Sequence, residues 1–275
     1  MPLVDTGSTW KYAMIDVQGL QKLYESYLAV DGVSFRVAPG QICGLVGPNG
    51  AGKTTTMRCL AGLIPATAGE ISVAGCRVED DPRRLKQRLA YVPDDPPLFD
   101  DLSVGEHLDF MGRLYQVPNH HQKGIELLRE FELLDKYDAG ATTLSRGMRQ
   151  KLAVCCAYIF EPSVLLLDEP LTGLDPPGIR ALLNSVRARA AKGATVIISS
   201  HLLAMIEDVC THLLVMQKGR REYFGETAEL RQQYPNAKSL EDAYFAATGN
   251  AAADASDEGA PVAISIADYL SGAVS

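Results

Sequence analysis

Residues 44–56 read GLVGPNGAGKTTT, and Gly47, Gly52, Lys53 and Thr54 satisfy the pattern G-x-x-x-x-G-K-[ST] without exception. The stretch follows an apolar run, Ile42 to Val46, and leads into a segment of helical spacing, so the pattern sits in the strand–loop–helix context it requires. The physical reason for the spacing is that glycines let the backbone curl until successive N–H groups point inward, where they meet phosphate oxygens, while the following helix adds its positive N-terminal end. The candidate phosphate cradle is therefore Gly47, Pro48, Asn49, Gly50, Ala51 and Gly52, continued by Lys53, Thr54 and Thr55. Lys53 supplies a point charge to the terminal phosphates and Thr54 a hydroxyl ligand for Mg²⁺, which makes ATP and Mg²⁺ the expected substrate and cofactor.

A second stretch, SVLLLDEP from Ser163 to Pro170, places four apolar residues ahead of two acids. A parallel strand buries such a run and presents Asp168 and Glu169 at its carboxyl end, where open α/β sheets bind ligand. Asp168 suits direct or outer support of Mg²⁺. Glu169 suits polarising a water for attack on the terminal phosphate.

Further strand candidates are Ala13–Val17, Gly32–Val37, Ile42–Val46, Glu70–Val73, Leu89–Val92, Thr195–Ser199 and Leu213–Met216. The segment AVDGVSFRVAPG (29–40) reads as an antiparallel pair closed by Pro39-Gly40, and the later runs, joined by helices, suit a parallel core. Between Pro97 and Phe160 the stretches SVGEHLDFMGRLYQ, KGIELLREFELL and SRGMRQKLAVCCAYIF carry helical spacing. The expected fold class is α/β: a P-loop ATPase core with a mixed sheet, an antiparallel N-terminal β subdomain and an α-helical subdomain inserted over approximately residues 95–160. The folded domain is expected over residues 1–249, followed by a flexible acidic tail over 250–275, where Ala, Asp, Ser and Gly leave little bulky apolar content.

The bulk properties narrow the function classes. A formal net charge of −8 over 275 residues argues against a nucleic-acid surface. Six cysteines without a C-x-x-C pair read as reduced, buried small hydrophobes rather than metal ligands. No signal pattern stands at the N-terminus. The most apolar stretch, Leu152 to Leu167, is broken by Glu161 and Pro162 and is shorter than the ~20 residues that span a bilayer. Any membrane role is therefore expected to come through a partner chain.

Four more segments follow in a recognisable order. LSRGMRQKL begins at Leu144, with Ser145 standing 23 positions before Asp168; GLDP carries Asp175, SSH ends at His201, and Tyr24 lies upstream. Together with the two acidic and glycine-rich stretches, this resembles the nucleotide-binding subunits of ATP-binding-cassette transporters from about Met14 to Gly249. The Leu-Ser-x-Gly segment ahead of the acidic strand is the discriminating feature, because many unrelated ATPases share the phosphate loop.

The resemblance implies a head-to-tail pair of such subunits with two ATP molecules between them. Lys53, Thr54, Asp168 and Glu169 of one subunit would face Ser145 and Gly147 of the other. By family position His201 would contact the γ-phosphate, Asp175 would link the two sites, and Tyr24 would stack on adenine, with Tyr27 and Tyr12 lying nearby. The expected partners are a second nucleotide-binding subunit and a separate transmembrane permease, with no nucleic acid, and the expected location is cytoplasmic, peripheral on the inner face of the membrane.

Two departures from the family pattern stand out. Where a glutamine is usual after LAYVP, this chain has Asp94, a candidate metal ligand; in the LSRGM segment, Arg146 and Met148 replace glycine and glutamine. The segments PPLFDDLSVGEHLDFMGRLY and SLEDAYFAATG resemble bacterial export-type ATPase subunits. The helices after Asp94 are expected to form the groove for the permease's cytoplasmic helix, with Phe99 or Leu102 contributing. The rival classes are a non-transport ATPase of the same family, which would carry two cassettes or a long coiled coil, and a regulatory nucleotide-binding subunit with weak hydrolysis.

Overall fold

The computed structural model describes residues 13–235 except 202, together with 237, 240, 242, 243 and 246. The acidic tail over 250–275 and Tyr12 lie outside the described residues. Among the described residues, ten strands form two sheets. The first has the order β2 (Tyr27–Val37), β1 (Ile15–Tyr24), β4 (Ala68–Val73) and β5 (Cys76–Arg77), all antiparallel. The second has the order β10 (Arg220–Glu226), β9 (His212–Gln217), β3 (Ile42–Val46), β8 (Thr195–Ser200), β7 (Val164–Leu167) and β6 (Leu89–Val92). Its strands are parallel except β10, which returns antiparallel on β9.

The helices are α1 (Lys53–Leu60), α2 (Pro82–Lys86), α3 (Val104–Leu114), α4 (His120–Glu130), α5 (Arg146–Tyr158), α6 (Pro176–Ala191), α7 (Leu203–Ile206) and α8 (Thr227–Gln233). Three of them, α3, α4 and α5, fall between β6 and β7, where the sequence carries helical spacing and no strand. Ser103 starts α3 with a reciprocal capping box to Glu106, a local start signal typically worth about 1 kcal/mol.

The parallel sheet is buried on both faces, which explains why its strands read as unbroken apolar runs. Side-chain alternation divides it between two cores. Leu165, Leu167, Val196 and Ile198 pack with Leu128, Phe131, Leu152 and Ile159 of the helical layer. Val164, Leu166 and Ile197 pack with Ile15, Val33, Phe35 and Val73 of the antiparallel sheet. The domain is thus two layers of core sharing one sheet, and the carboxyl ends of β3, β7 and β8 emerge together.

One expectation is corrected. Residues 27–37 form one continuous strand through Gly32, and the antiparallel pairing is made with β1 across the turn at Glu25 and Ser26. Pro39-Gly40, with Gly40 at φ 77, instead carries the chain from one sheet to the other. β10 is a strand that the sequence reading did not propose. Its sequence RREYFGE is mostly charged and polar because it is an edge strand with one side open, so no apolar run announces it.

Candidate functional site

The glycine-rich loop leaves β3 at Val46 and enters α1 at Lys53. A side chain at Gly47 (φ 154) would clash with the Met216 carbonyl oxygen, and one at Gly52 (φ 97) would meet the Ala29 carbonyl oxygen at 2.6 Å. The glycines are therefore required by close approach to β9 and β2 as well as by the curl of the loop. Gly50 (φ 77) is open, so its requirement is conformational alone. The N-cap of α1 is Gly52, which has no side chain to offer, and the first N–H groups of the helix carry no side-chain cap.

Lys53 folds back into this loop and is only 7% exposed. Its Nζ donates to the carbonyls of Gly47 at 2.7 Å and Pro48 at 3.3 Å, and lies 3.6 Å from Glu169 Oε1. Burial pushes the ammonium pKa down, and the carboxylates of Glu169 and Asp168 oppose that shift. A buried ammonium held by carbonyl dipoles at an uncapped helix start is suited to an anion.

Asp168 directly follows β7 and is 1% exposed. Its amide donates to the Val92 carbonyl at 2.8 Å, Oδ1 accepts from Ser199 Oγ at 2.6 Å, and Oδ2 accepts from the Tyr91 hydroxyl at 3.2 Å. Ser199 Oγ also accepts from the Glu169 amide at 2.8 Å. Glu169 occupies the left-handed region at φ 47, a conformation that typically costs a non-glycine residue on the order of 1–3 kcal/mol and tends to persist at functional sites. Its Oε2 lies 2.9 Å from His201 Nδ1 and accepts a long bond of 3.4 Å from the His201 amide. Lys53, Asp168, Glu169 and His201 are thus brought to one cluster. Ser199 and Tyr91 were not singled out from the sequence. The signal lay in two polar side chains within otherwise apolar strands that flank β7.

The LSRGM segment forms the start of α5. Ser145 is its N-cap and accepts from the Met148 amide at 3.3 Å. Gly147 packs on the Gly173 carbonyl oxygen, which a side chain would approach to 2.5 Å. Asp175 N-caps α6 through the Gly178 amide at 3.2 Å and lies 3.8 Å from Lys151 Nζ. Within one chain these residues do not touch the Lys53–Glu169 cluster.

Asp94 and Tyr24 each have a partner within the chain. Asp94 Oδ1 forms an ion pair with Arg146 Nη2 at 3.0 Å, and no contact in the described residues joins it to Thr54 or Asp168. The Tyr24 ring is covered by Lys22 Nζ at 5.0 Å, whereas the Tyr27 hydroxyl reaches the Gly50 carbonyl at 3.5 Å. Tyr27 is therefore the aromatic that touches the loop.

A groove of about 600 Å³ opens beside the site. Tyr91, Phe99, Phe110, Met111 and Phe160 line it, and Phe99 and Phe110 remain 53% and 42% exposed. Leu102, the alternative named above, does not line this groove; its amide donates to the Phe99 carbonyl and its own carbonyl accepts from Ala141.

Residues 30–172 match the family model described as ABC transporter. The chain belongs to the ABC transporter family. It is 39% identical over 211 residues to the Nod factor export ATP-binding protein I of Burkholderia pseudomallei (strain 1710b), covering 76% of this chain and 69% of that protein. To the ABC-type transporter ATP-binding protein EcsA of Bacillus subtilis (strain 168) it is 33% identical over 239 residues, covering 86% of this chain and 97% of that one. A solved structure described as the ATP-binding subunit of an ABC transporter superposes with a TM-score of 0.80 at 34% identity, over 86% of this chain and 99% of that chain. As an ABC transporter ATPase, the chain binds and hydrolyses ATP on a P-loop α/β core. Among the described residues, no helix is long and apolar enough to cross a membrane.

Proposed function

We propose that this chain pairs head to tail with a second copy or a close relative around two ATP molecules, and drives export through a separate membrane-spanning subunit from the cytoplasmic side. The observation that carries the reading is the division of the machinery within one chain. Lys53, Asp168, Glu169 and His201 form one cluster, while Ser145 and Gly147 stand apart at the start of a 13-residue helix. A second chain is what would bring that helix start to the phosphates. The names of the relatives, one of which is an export ATP-binding protein, support the direction.

In this reading Lys53 and the loop amides hold the β- and γ-phosphates, Tyr24 or Tyr27 borders the adenine, and Asp175 links the two sites. Glu169 takes the proton of the attacking water, and His201, against its Oε2, orients that carboxylate and the γ-phosphate. Mg²⁺ fits the donors present. Thr54 and Asp168 are hard oxygen ligands, and among the described residues no cluster of three or more His, Cys, Asp or Glu could hold a metal unaided, so the phosphates and water would complete its shell. When bound, Mg²⁺ supplies charge neutralisation of the phosphate oxygens. The groove around Phe99 and Phe110 receives a cytoplasmic helix of the membrane subunit. Residues 1–249 make up this nucleotide-binding domain, with 250–275 as its acidic tail.

Sedimentation of the Glu169→Gln variant with saturating Mg²⁺ and ATP tests the pairing. The expected species has twice the mass of the nucleotide-free chain. A variant that binds ATP yet stays a monomer at tens of micromolar overturns the paired site.

A further inference from the structure

Tyr91 belongs to two places at once. It lies in β6, whose neighbour β7 is followed by Asp168, with Tyr91 registered against Leu166. Its hydroxyl donates to Asp168 Oδ2 at 3.2 Å, while its ring forms part of the wall of the groove that also contains Phe99, Phe110 and Phe160.

The carboxylate it meets has little freedom elsewhere. Asp168 is held by its own amide on Val92, by Ser199 on Oδ1 and by Tyr91 on Oδ2. Two of these three contacts lead into β6, because Val92 is the residue after Tyr91. The same chain continues through Pro93, Asp95, Pro96 and Pro97, all of which line the groove before Phe99. A displacement of the groove wall therefore bears on β6, and through the tyrosine hydroxyl on one oxygen of the carboxylate.

We propose that Tyr91 is a positioning residue which ties the apolar groove to the Asp168 carboxylate, so that occupancy of the groove and the setting of Asp168 depend on each other. The inference rests on the reading that Asp168 supports Mg²⁺ and that the groove is the docking surface. By linkage the dependence is reciprocal, so a change at the phosphate site must be visible in the groove.

That reciprocity gives the test. The six native cysteines are all buried in the described structure, so Phe99→Cys can be labelled selectively with a bimane fluorophore that reports its surroundings. The labelled chain is titrated with Mg²⁺ in the presence of a non-hydrolysable ATP analogue, with and without Tyr91→Phe, which keeps the ring and removes the hydroxyl. Analogue affinity is followed separately through a fluorescent nucleotide, and thermal melts check that each variant is folded. The expected result is a Mg²⁺-dependent fluorescence change with Tyr91 present that falls at least fivefold in Tyr91→Phe. The Mg²⁺ midpoint for nucleotide binding should also rise several-fold, while metal-free nucleotide affinity stays within twofold. Equal responses with tyrosine and phenylalanine overturn the proposal, as does no response in either. Loss of nucleotide binding in the parent chain overturns the reading of the site itself, a different failure.

Discussion

Arg146 Nη2 lies 3.0 Å from Asp94 Oδ1, joining the first residue of α5 to the loop that follows β6 across 52 positions of sequence. The stem of Arg146 also lies against Gly173, so the start of α5 and two loops meet at this side chain. The pair neutralises the carboxylate that the sequence offered as a metal ligand. It also holds the arginine at the end of the helix that is proposed to approach a partner's nucleotide.

Both groups are about half exposed, and an ion pair of that kind contributes about 0–1 kcal/mol. Asp94→Asn is expected to shift the melting temperature by no more than a few degrees and to leave the Mg²⁺ midpoint for ATP binding within about twofold. Binding titrations across Mg²⁺ concentration check this. A tenfold rise in the midpoint would restore Asp94 as a metal ligand.

Ser199 is the smallest part of the site with the largest structural burden, since one hydroxyl serves both Asp168 and the Glu169 amide. Ser199→Ala leaves a buried carboxylate oxygen and a strained residue's N–H without that partner. The expected loss is about 1–3 kcal/mol, read as a melting temperature several degrees lower, with turnover falling more than nucleotide affinity. Unchanged stability together with unchanged turnover would contradict the hydrogen-bond arrangement.

Lys53 gives a pH signature. Burial lowers its folded-state pKa below the ordinary value of 10.5, so between the two values the unfolded chain binds the extra proton and stability rises with pH. Native protein should therefore gain stability relative to Lys53→Met as pH rises through that alkaline window. ATP affinity should move the other way, holding while the ammonium is charged and weakening as pH rises through the lowered pKa. Denaturant melts and nucleotide titrations over the same pH series separate the two limbs. An ATP affinity that does not change through the window would remove Lys53 from phosphate binding.

Phe99 and Phe110 are exposed, so replacing either with Asp should change stability by about 0.5 kcal/mol or less. Nucleotide affinity should stay within twofold while association with the membrane subunit is lost. Co-purification of the two subunits reads the outcome. Leu102 is a poor choice for this experiment, because it does not line the groove.

The central sheet was readable from sequence because its strands are buried on both faces and appear as short apolar runs that end at functional residues: Val46 before the glycine loop, Leu167 before Asp168, Ser200 before His201. The phosphate loop and acidic pair were readable for the same reason. β10 was not, since an edge strand made of RREYFGE carries no apolar run. Tyr91 and Ser199 were hidden because each is a single polar residue whose meaning depends on which strand lies next to it. The Asp94–Arg146 pair depends on a contact between separate elements, and the two charges in sequence carry no hint of each other. The reason for Gly47 and Gly52 was only half readable: phosphate approach follows from the pattern, but the carbonyls of Met216 and Ala29 that crowd them appear only in three dimensions.

The most direct test of the account is phosphate release by the purified chain with Mg²⁺ and ATP, measured across protein concentration for the native sequence and for Glu169→Gln. The account predicts that the native rate per chain rises with concentration and then saturates, as a site shared by two chains requires. It also predicts that Glu169→Gln is slower by about 10²–10⁴-fold, the usual worth of a positioned general base. A rate per chain independent of concentration, or a glutamine variant as fast as the native chain, would contradict it.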